Sequence, residues 1–165
     1  MGELRLRPPR AADETAFRAA HTLMAAEGFE FGLGLGACPA WADYLAALDR
    51  LRAGVEVPAG LVPATFLVAE VAGEIVGRTS VRHELNDHLL REGGHVGYGV
   101  LPAYRRRGHA AEILRQSLVV ARAAGVDRVL VTCDEDNVAS RRVIEACGGR
   151  LEILPGTRRR RYWIE

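Results

Sequence analysis

Gly97-Tyr98-Gly99-Val100-Leu101-Pro102-Ala103-Tyr104-Arg105-Arg106-Arg107-Gly108-His109-Ala110 is the stretch that decides how this chain is read. Its first part has the character of a strand, Pro102 begins a turn, and the segment from Gly108 opens a long helix. The first N–H groups of a helix have no intrahelical partner, and the aligned peptide dipoles favour an anion beside them. A basic turn with a glycine in front of such an end is a seat for phosphate. Arg105, Arg106 and Arg107 add charge and hydrogen-bond donors to it.

Working outward, Thr65 to Val71 and Ile75 to Arg82 are strand-like runs joined at Ala72-Gly73-Glu74, which reads as a hairpin. His83 to Gly94 is a polar loop, and a strand from His95 to Leu101 leads into the basic turn. The helix after Gly108 is expected to run to about Ala124, burying Ile113, Leu114, Leu118 and Ala121 and stopping at Gly125. Arg128 to Cys133 is almost wholly apolar, as a strand covered on both faces should be. Asp134 to Asn137 offers caps for a helix from about Val138 to Cys147, and Leu151 to Leu154 and Arg159 to Ile164 flank the turn Pro155-Gly156 as final strands.

Toward the amino end, Leu4 to Arg7 reads as a short strand, Asp13 opens a helix through about Met24, and Pro39 to Arg52 is a second amphipathic helix. Between these helices, Gly28 to Pro39 holds four glycines (28, 32, 34 and 36). No apolar strand precedes them and Pro39 follows, so the dinucleotide fingerprint fails and the segment reads as a mobile loop. The order β-α-α-β-β-β-α-β-α-β-β predicts an α/β (α+β) fold. Its central sheet would be mixed, mostly antiparallel and of about seven strands, with four helices, in a single domain over residues 1–165.

A formal net charge of +1 argues against nucleic-acid binding driven by bulk charge, so any basic character is local. All 22 basic residues are arginine, from which no function follows. Three cysteines without a C-x-x-C pair indicate neither a disulfide framework nor a zinc site, and no other metal centre is expected. No apolar run reaches the roughly 20 residues needed to span a membrane, and charged residues begin at Glu3. The expected location is the cytoplasm, with no membrane partner.

Arg105-x-x-Gly108-x-Ala110 resembles the pyrophosphate-binding motif [QR]-x-x-G-x-[GA] of the GNAT superfamily of acetyl-CoA-dependent N-acetyltransferases. Asn137-x-x-Ser140 with Glu145 and Gly148-Gly149 is similar to the asparagine-led helix that follows later in that family, and the matching span runs from about Thr65 to Leu154. Arg82-His83-x-Leu85-Asn86, Gly94-His95-x-Gly97-Tyr98 and Val131-x-Cys133 look like a bacterial subgroup of predicted acetyltransferases.

The resemblance implies that the fourth and fifth strands splay apart and that acetyl-CoA is the cosubstrate. Backbone at Gly99, Val100 and Leu101 would bond the pantetheine arm, the absent side chains at Gly97 and Gly99 allowing close approach. Amides of Arg107, Gly108, His109 and Ala110 would hold the pyrophosphate, with the side chains of Arg105, Arg106 and Arg107 also in reach of phosphate. Asn137 would bond the pantetheine as well as cap its helix, with Ser140 one turn on.

In related acetyltransferases the position of His95 often carries a glutamate, so His95 is the candidate general base; a histidine simply hydrogen-bonded at a strand start is the other reading. Glu84, Asp87, His83, His88 and Glu92 in the preceding loop compete for the role. Many relatives have a tyrosine seven residues after the asparagine to protonate the leaving thiolate; Ile144 stands there, which leaves that role unassigned, with Tyr98, Tyr104 and solvent open to it and Cys147 too far along the helix. The implied reaction is direct acetyl transfer to a primary amine of a small molecule or peptide. Glu27, Glu30, Glu84 and Asp87 are available to attract a cationic amine. The alternative is a non-catalytic CoA-binding sensor or regulatory module. Whether the last strand completes a homodimer stays open.

Overall fold

The structure is a computed structural model that describes residues 2–165. Among the described residues there are seven strands and four α-helices, as the pattern of the sequence predicts. In chain order they are β1 (Arg5–Arg7), α1 (Glu14–Ala25), α2 (Trp41–Ala53), β2 (Ala64–Val71), β3 (Glu74–Arg82), β4 (Val96–Val100), α3 (His109–Ala123), β5 (Val129–Asp134), α4 (Val138–Ala146), β6 (Arg150–Glu152) and β7 (Arg159–Ile164).

The strands divide into two antiparallel sheets, one ordered β1-β2-β3-β4 and the other β5-β7-β6. β4 and β5 meet only at their beginnings. There the His95 N–H donates to the Leu130 carbonyl at 2.7 Å, and the Leu130 N–H donates to Nδ1 of His95 at 2.9 Å. Beyond that point they part, which leaves one edge of β4 without a neighbouring strand.

Each side of the first sheet is covered by a different set of residues. Val96, Tyr98 and Val100 pack toward α3 and α4, against Ile113, Leu114, Leu118 and Ile144. On the opposite side an aromatic cluster ties α1, α2 and β2 together around Phe17, whose ring centroid lies 5.0 Å from that of Trp41 and 5.9 Å from that of Phe66. Such pairs contribute about 0.5–1.5 kcal/mol each beyond simple burial.

The same cluster overturns the reading of Gly28 to Pro39 as a mobile loop. Phe31 and Leu35 are fully enclosed, and Phe31 packs edge-on against Phe17. The Gly32 N–H donates to Nδ1 of His21 at 2.9 Å, and the Tyr44 hydroxyl donates to the Leu33 carbonyl at 3.0 Å. The glycines made the segment look unanchored, whereas its few apolar side chains and its backbone carbonyls fasten it to the sheet.

Candidate functional site

A cleft of about 660 Å³ opens where β4 leaves β5. β4 forms one wall, the start of α4 another, and the start of α3 closes the end. Gly99, Val100, Arg105, Arg106, Gly108, His109, Ala110, Asn137 and Ser140 all line it, so most of the residues singled out by motif meet in one place. Leu101, Arg107 and His95 lie outside the lining.

The ladder with β3 decides which backbone groups face the cleft. The Arg82 N–H donates to the His95 carbonyl and the Leu101 N–H to the Val76 carbonyl, so odd-numbered residues of β4 face β3. The groups on the open edge therefore belong to Tyr98 and Val100, which corrects the expectation that Gly99 and Leu101 offer theirs. Gly99 has a different reason to lack a side chain: a Cβ there would lie 2.5 Å from the ring of Phe29. Gly97 likewise makes room for the guanidinium of Arg82.

At the far end, Gly108 is the N-cap of α3, with φ +82° and no side chain capping the helix. Arg106 is also left-handed at φ +63°. These two reversals curl the chain so that successive N–H groups converge, and the first turn of α3 leaves the amides of His109 and Ala110 without helical partners. A Cβ on Gly108 would meet nothing within 4 Å, so the space in front of the helix is open.

Arg105 is not aimed at that space. Its Nε donates to the Val100 carbonyl at 3.0 Å, and its Nη2 pairs with Glu27, in the turn just after α1, at 2.7 Å. The expectation that all three arginine side chains reach phosphate is corrected to this extent: Arg105 fastens the loop to the strand end and to the turn after α1, while Arg106 lines the cleft. The Arg107 guanidinium lies 5.8 Å from the ring centroid of Tyr104.

Asn137 caps α4, its Oδ1 accepting from the Ser140 N–H at 3.1 Å. Its amide nitrogen is left for the cleft. Ser140 shares a 2.9 Å hydrogen bond between its Oγ and the hydroxyl of Tyr98, which joins α4 to β4 across the wall of the cleft. Burial pushes the Tyr98 phenol up to about 12. Ile144 is fully buried in the core beside Tyr162, so the position of the missing tyrosine faces away from the cleft.

Residues 3–150 match the acetyltransferase (GNAT) domain family. The chain belongs to the GNAT acetyltransferase family. No curated protein sequence matches this acetyltransferase. Its fold is shared with ribosomal-protein-S5-alanine acetyltransferase from Vibrio fischeri, which is 16% identical, with 99% of this chain and 92% of that one covered and a TM-score of 0.69. It is shared also with RimJ from Mycobacterium smegmatis in complex with CoA-disulfide, at 23% identity, 99% and 81% coverage and a TM-score of 0.67. A third likeness is yncA from Salmonella typhimurium with its cofactor acetyl-CoA, at 16% identity, 97% and 91% coverage and a TM-score of 0.61.

In this GNAT acetyltransferase His95 does not fit the role of general base. It is 6% exposed, and its Nδ1 accepts from the Leu130 N–H, so the neutral ring carries its proton on Nε2. Taking a second proton would break the bond that joins the two sheets. Burial, with the charge of Arg82 adding to it, pushes the imidazole down to about 4.

A stability test follows from the sign of that shift. The folded value lies below the ordinary 6.5, so the unfolded chain binds the extra proton first. Stability from this residue is complete above about 6.5 and is lost as the pH falls toward about 4. His95→Asn keeps an acceptor for Leu130 but cannot titrate. Denaturant unfolding from pH 7 to pH 4 is expected to show wild type losing more stability than the variant; parallel curves would mean that His95 is not held neutral.

Among the described residues no helix is long and apolar enough to cross a membrane, and no group of three or more His, Cys, Asp or Glu is placed to hold a metal ion. Phe29 and Met24 line the cleft without having been singled out in the sequence, and Tyr98 and Tyr104, weighed there only as thiolate acids, line it too. The alternation of β4 was the signal for Tyr98, since the side chain next to an open strand edge shares its cleft.

Proposed function

We propose that the chain moves an acetyl group from acetyl-CoA directly to a primary amine of a small molecule or a peptide. The observation that carries this reading is continuity: the open edge of β4 runs straight into the uncapped amino end of α3 within one cleft. An amide-bearing arm needs the first and a pyrophosphate needs the second, so the residues present fit the cosubstrate.

Tyr98 and Val100 offer backbone groups to the pantetheine, and Asn137 offers its side-chain amide. His109 and Ala110 receive the pyrophosphate on their N–H groups, with Arg106 beside them. Acetyl-CoA supplies an activated thioester: as the amine–carbon bond forms, the carbon–sulfur bond breaks and the sulfur leaves as thiolate, the amine giving its proton to water. The N–H of Val100 or Tyr98 polarises the acetyl carbonyl. The Tyr98 hydroxyl keeps its proton at neutral pH and donates a hydrogen bond to the departing sulfur, with Ser140 fixing its direction.

Two measurements test this. Calorimetry with acetyl-CoA followed by thiol release over an amine panel is expected to give binding and turnover; tight binding with no release would favour a non-catalytic CoA-binding module. Tyr98→Phe is expected to lower kcat by roughly tenfold to a hundredfold with little change in acetyl-CoA affinity. An unchanged kcat would remove Tyr98 from the chemistry.

A further inference from the structure

Two cations on β3 take no part in the machinery above. Arg78 and Arg82 project to the side of the sheet away from α3, and Arg78 is 4% exposed. Arg78 is satisfied by main-chain carbonyls: Nε donates to Phe31 at 3.0 Å, Nη1 to Gly97 at 2.8 Å and Nη2 to Glu30 at 2.7 Å. The ring of Phe29 covers it, 4.4 Å away. Arg82 is different. Among the described residues its side chain makes one hydrogen bond to the protein, a long one of 3.3 Å from Nη1 to the Gly93 carbonyl.

Neither arginine has a carboxylate partner among the described residues, although both are sheltered enough for burial to lower their pKa values, that of Arg78 to about 9. A sheltered cation with no counter-ion and unused donors is poorly matched to the folded protein alone. A charged group perturbed by burial and left without its counter-ion is a recurrent mark of a functional residue.

Its position is informative. The guanidinium lies over Gly97, where a Cβ would come within 3.0 Å of Nη1 and 3.3 Å of Nη2. Gly97 adjoins Tyr98, beside which the proposed reaction takes place. The cosubstrate arrives along the α3 and α4 side, so the acceptor comes from the side on which Arg82 lies. Two of the four acidic residues that suggested a cationic acceptor are already engaged: Glu27 is paired with Arg105, and Oε2 of Glu30 accepts from the Gly34 N–H at 3.2 Å.

We propose that Arg82 receives a carboxylate of the acceptor, and that the acceptor is a small amine carrying a carboxylate, of the amino-acid class. This rests on the acetyl-transfer reading. A planar guanidinium with free N–H groups takes a carboxylate through two parallel hydrogen bonds. The same pair of cations favours the neutral, nucleophilic form of an amine held beside them, which removes the need for a dedicated base. A polyamine would meet repulsion there.

The probes are alanine, methionine and glutamate, each as the free acid and as the α-carboxamide, tested by calorimetry on CoA-loaded protein and by thiol release with acetyl-CoA. The amide has the less basic amine, so intrinsic reactivity favours it, and any preference for the acid comes from the site. Wild type is expected to bind at least one acid ten or more times more tightly than its amide. Arg82→Gln should cut that ratio below about twofold while acetyl-CoA affinity and Tm stay near wild type, and Arg82→Lys should recover part of it. If Arg82→Gln does not fold, the wild-type ratio and Arg82→Lys decide. Equal affinity for acid and amide in wild type would overturn the proposal, as would an Arg82→Gln ratio equal to the wild-type one. Absence of thiol release with every amine would overturn the acetyl-transfer reading instead, and the affinity ratio would still decide the role of Arg82.

Discussion

Gly108→Asp is expected to abolish acetyl-CoA binding while leaving the chain folded. The backbone at Gly108 has φ +82°, a conformation Asp adopts at a cost of about 1–2 kcal/mol, and a Cβ there has no neighbour within 4 Å. That strain lowers Tm by roughly 2–8 °C for a chain of this size. The effect on binding is far larger. A carboxylate about 4 Å from a phosphate at an effective dielectric constant of 20 is repelled by about 4 kcal/mol, close to a thousandfold in Kd. Gly108→Ala shares the strain and lacks the charge, so it should bind within about tenfold of wild type. Calorimetry on both variants separates the two effects. An aspartate variant that binds as well as the alanine variant would mean that the phosphates lie elsewhere.

Arg78→Met should give the largest loss of stability. The substitution keeps the length of the side chain but withdraws three donors from the carbonyls of Glu30, Phe31 and Gly97. Buried acceptors left without donors cost about 1–3 kcal/mol each, partly offset here by removal of a sheltered cation. A net loss of about 3 kcal/mol is expected, a fall in Tm of roughly 6–12 °C. Arg78→Lys keeps the charge but reaches fewer carbonyls, so it should fall between. Because Arg78 also supports Phe29 against Gly99, the Met variant should bind acetyl-CoA more weakly as well. A Tm within about 2 °C of wild type would show that the Phe17 cluster holds the 28–39 segment unaided.

What the sequence disclosed follows the range of the interactions involved. α3, α4 and the β2–β3 hairpin are set by local signals: apolar spacing, Asn137 as a cap and Gly73 in a two-residue turn. That Arg106, Gly108, His109 and Ala110 would share one cleft was legible for the same reason, since a strand, a turn and a helix start are contiguous. The misreadings all involve partners distant in the chain. His95 looked like a base because Leu130, 35 positions on, could not be seen to occupy its Nδ1. Arg105 looked free for phosphate because Glu27 lies 78 positions before it. The glycines of 28–36 concealed Phe31, whose burial depends on Phe17 and whose carbonyl depends on Arg78. Arg82 looked like an ordinary strand residue, and its neighbour Gly97 gave no hint that it left room for a guanidinium.

The parting of β4 from β5 carries a liability as well as a site. A strand edge with exposed amides and carbonyls is a template for any stray extended chain, and proteins usually blunt such edges with charge, bulges or a covering segment. Here the row at Tyr98 and Val100 is covered in part by the Arg105 side chain, which already occupies the Val100 carbonyl. In the reading above, the pantetheine arm fills the same row, so the cosubstrate also serves as a guard against self-association. A cell short of acetyl-CoA would leave this protein with fewer acetyl groups to transfer and a stickier surface at once.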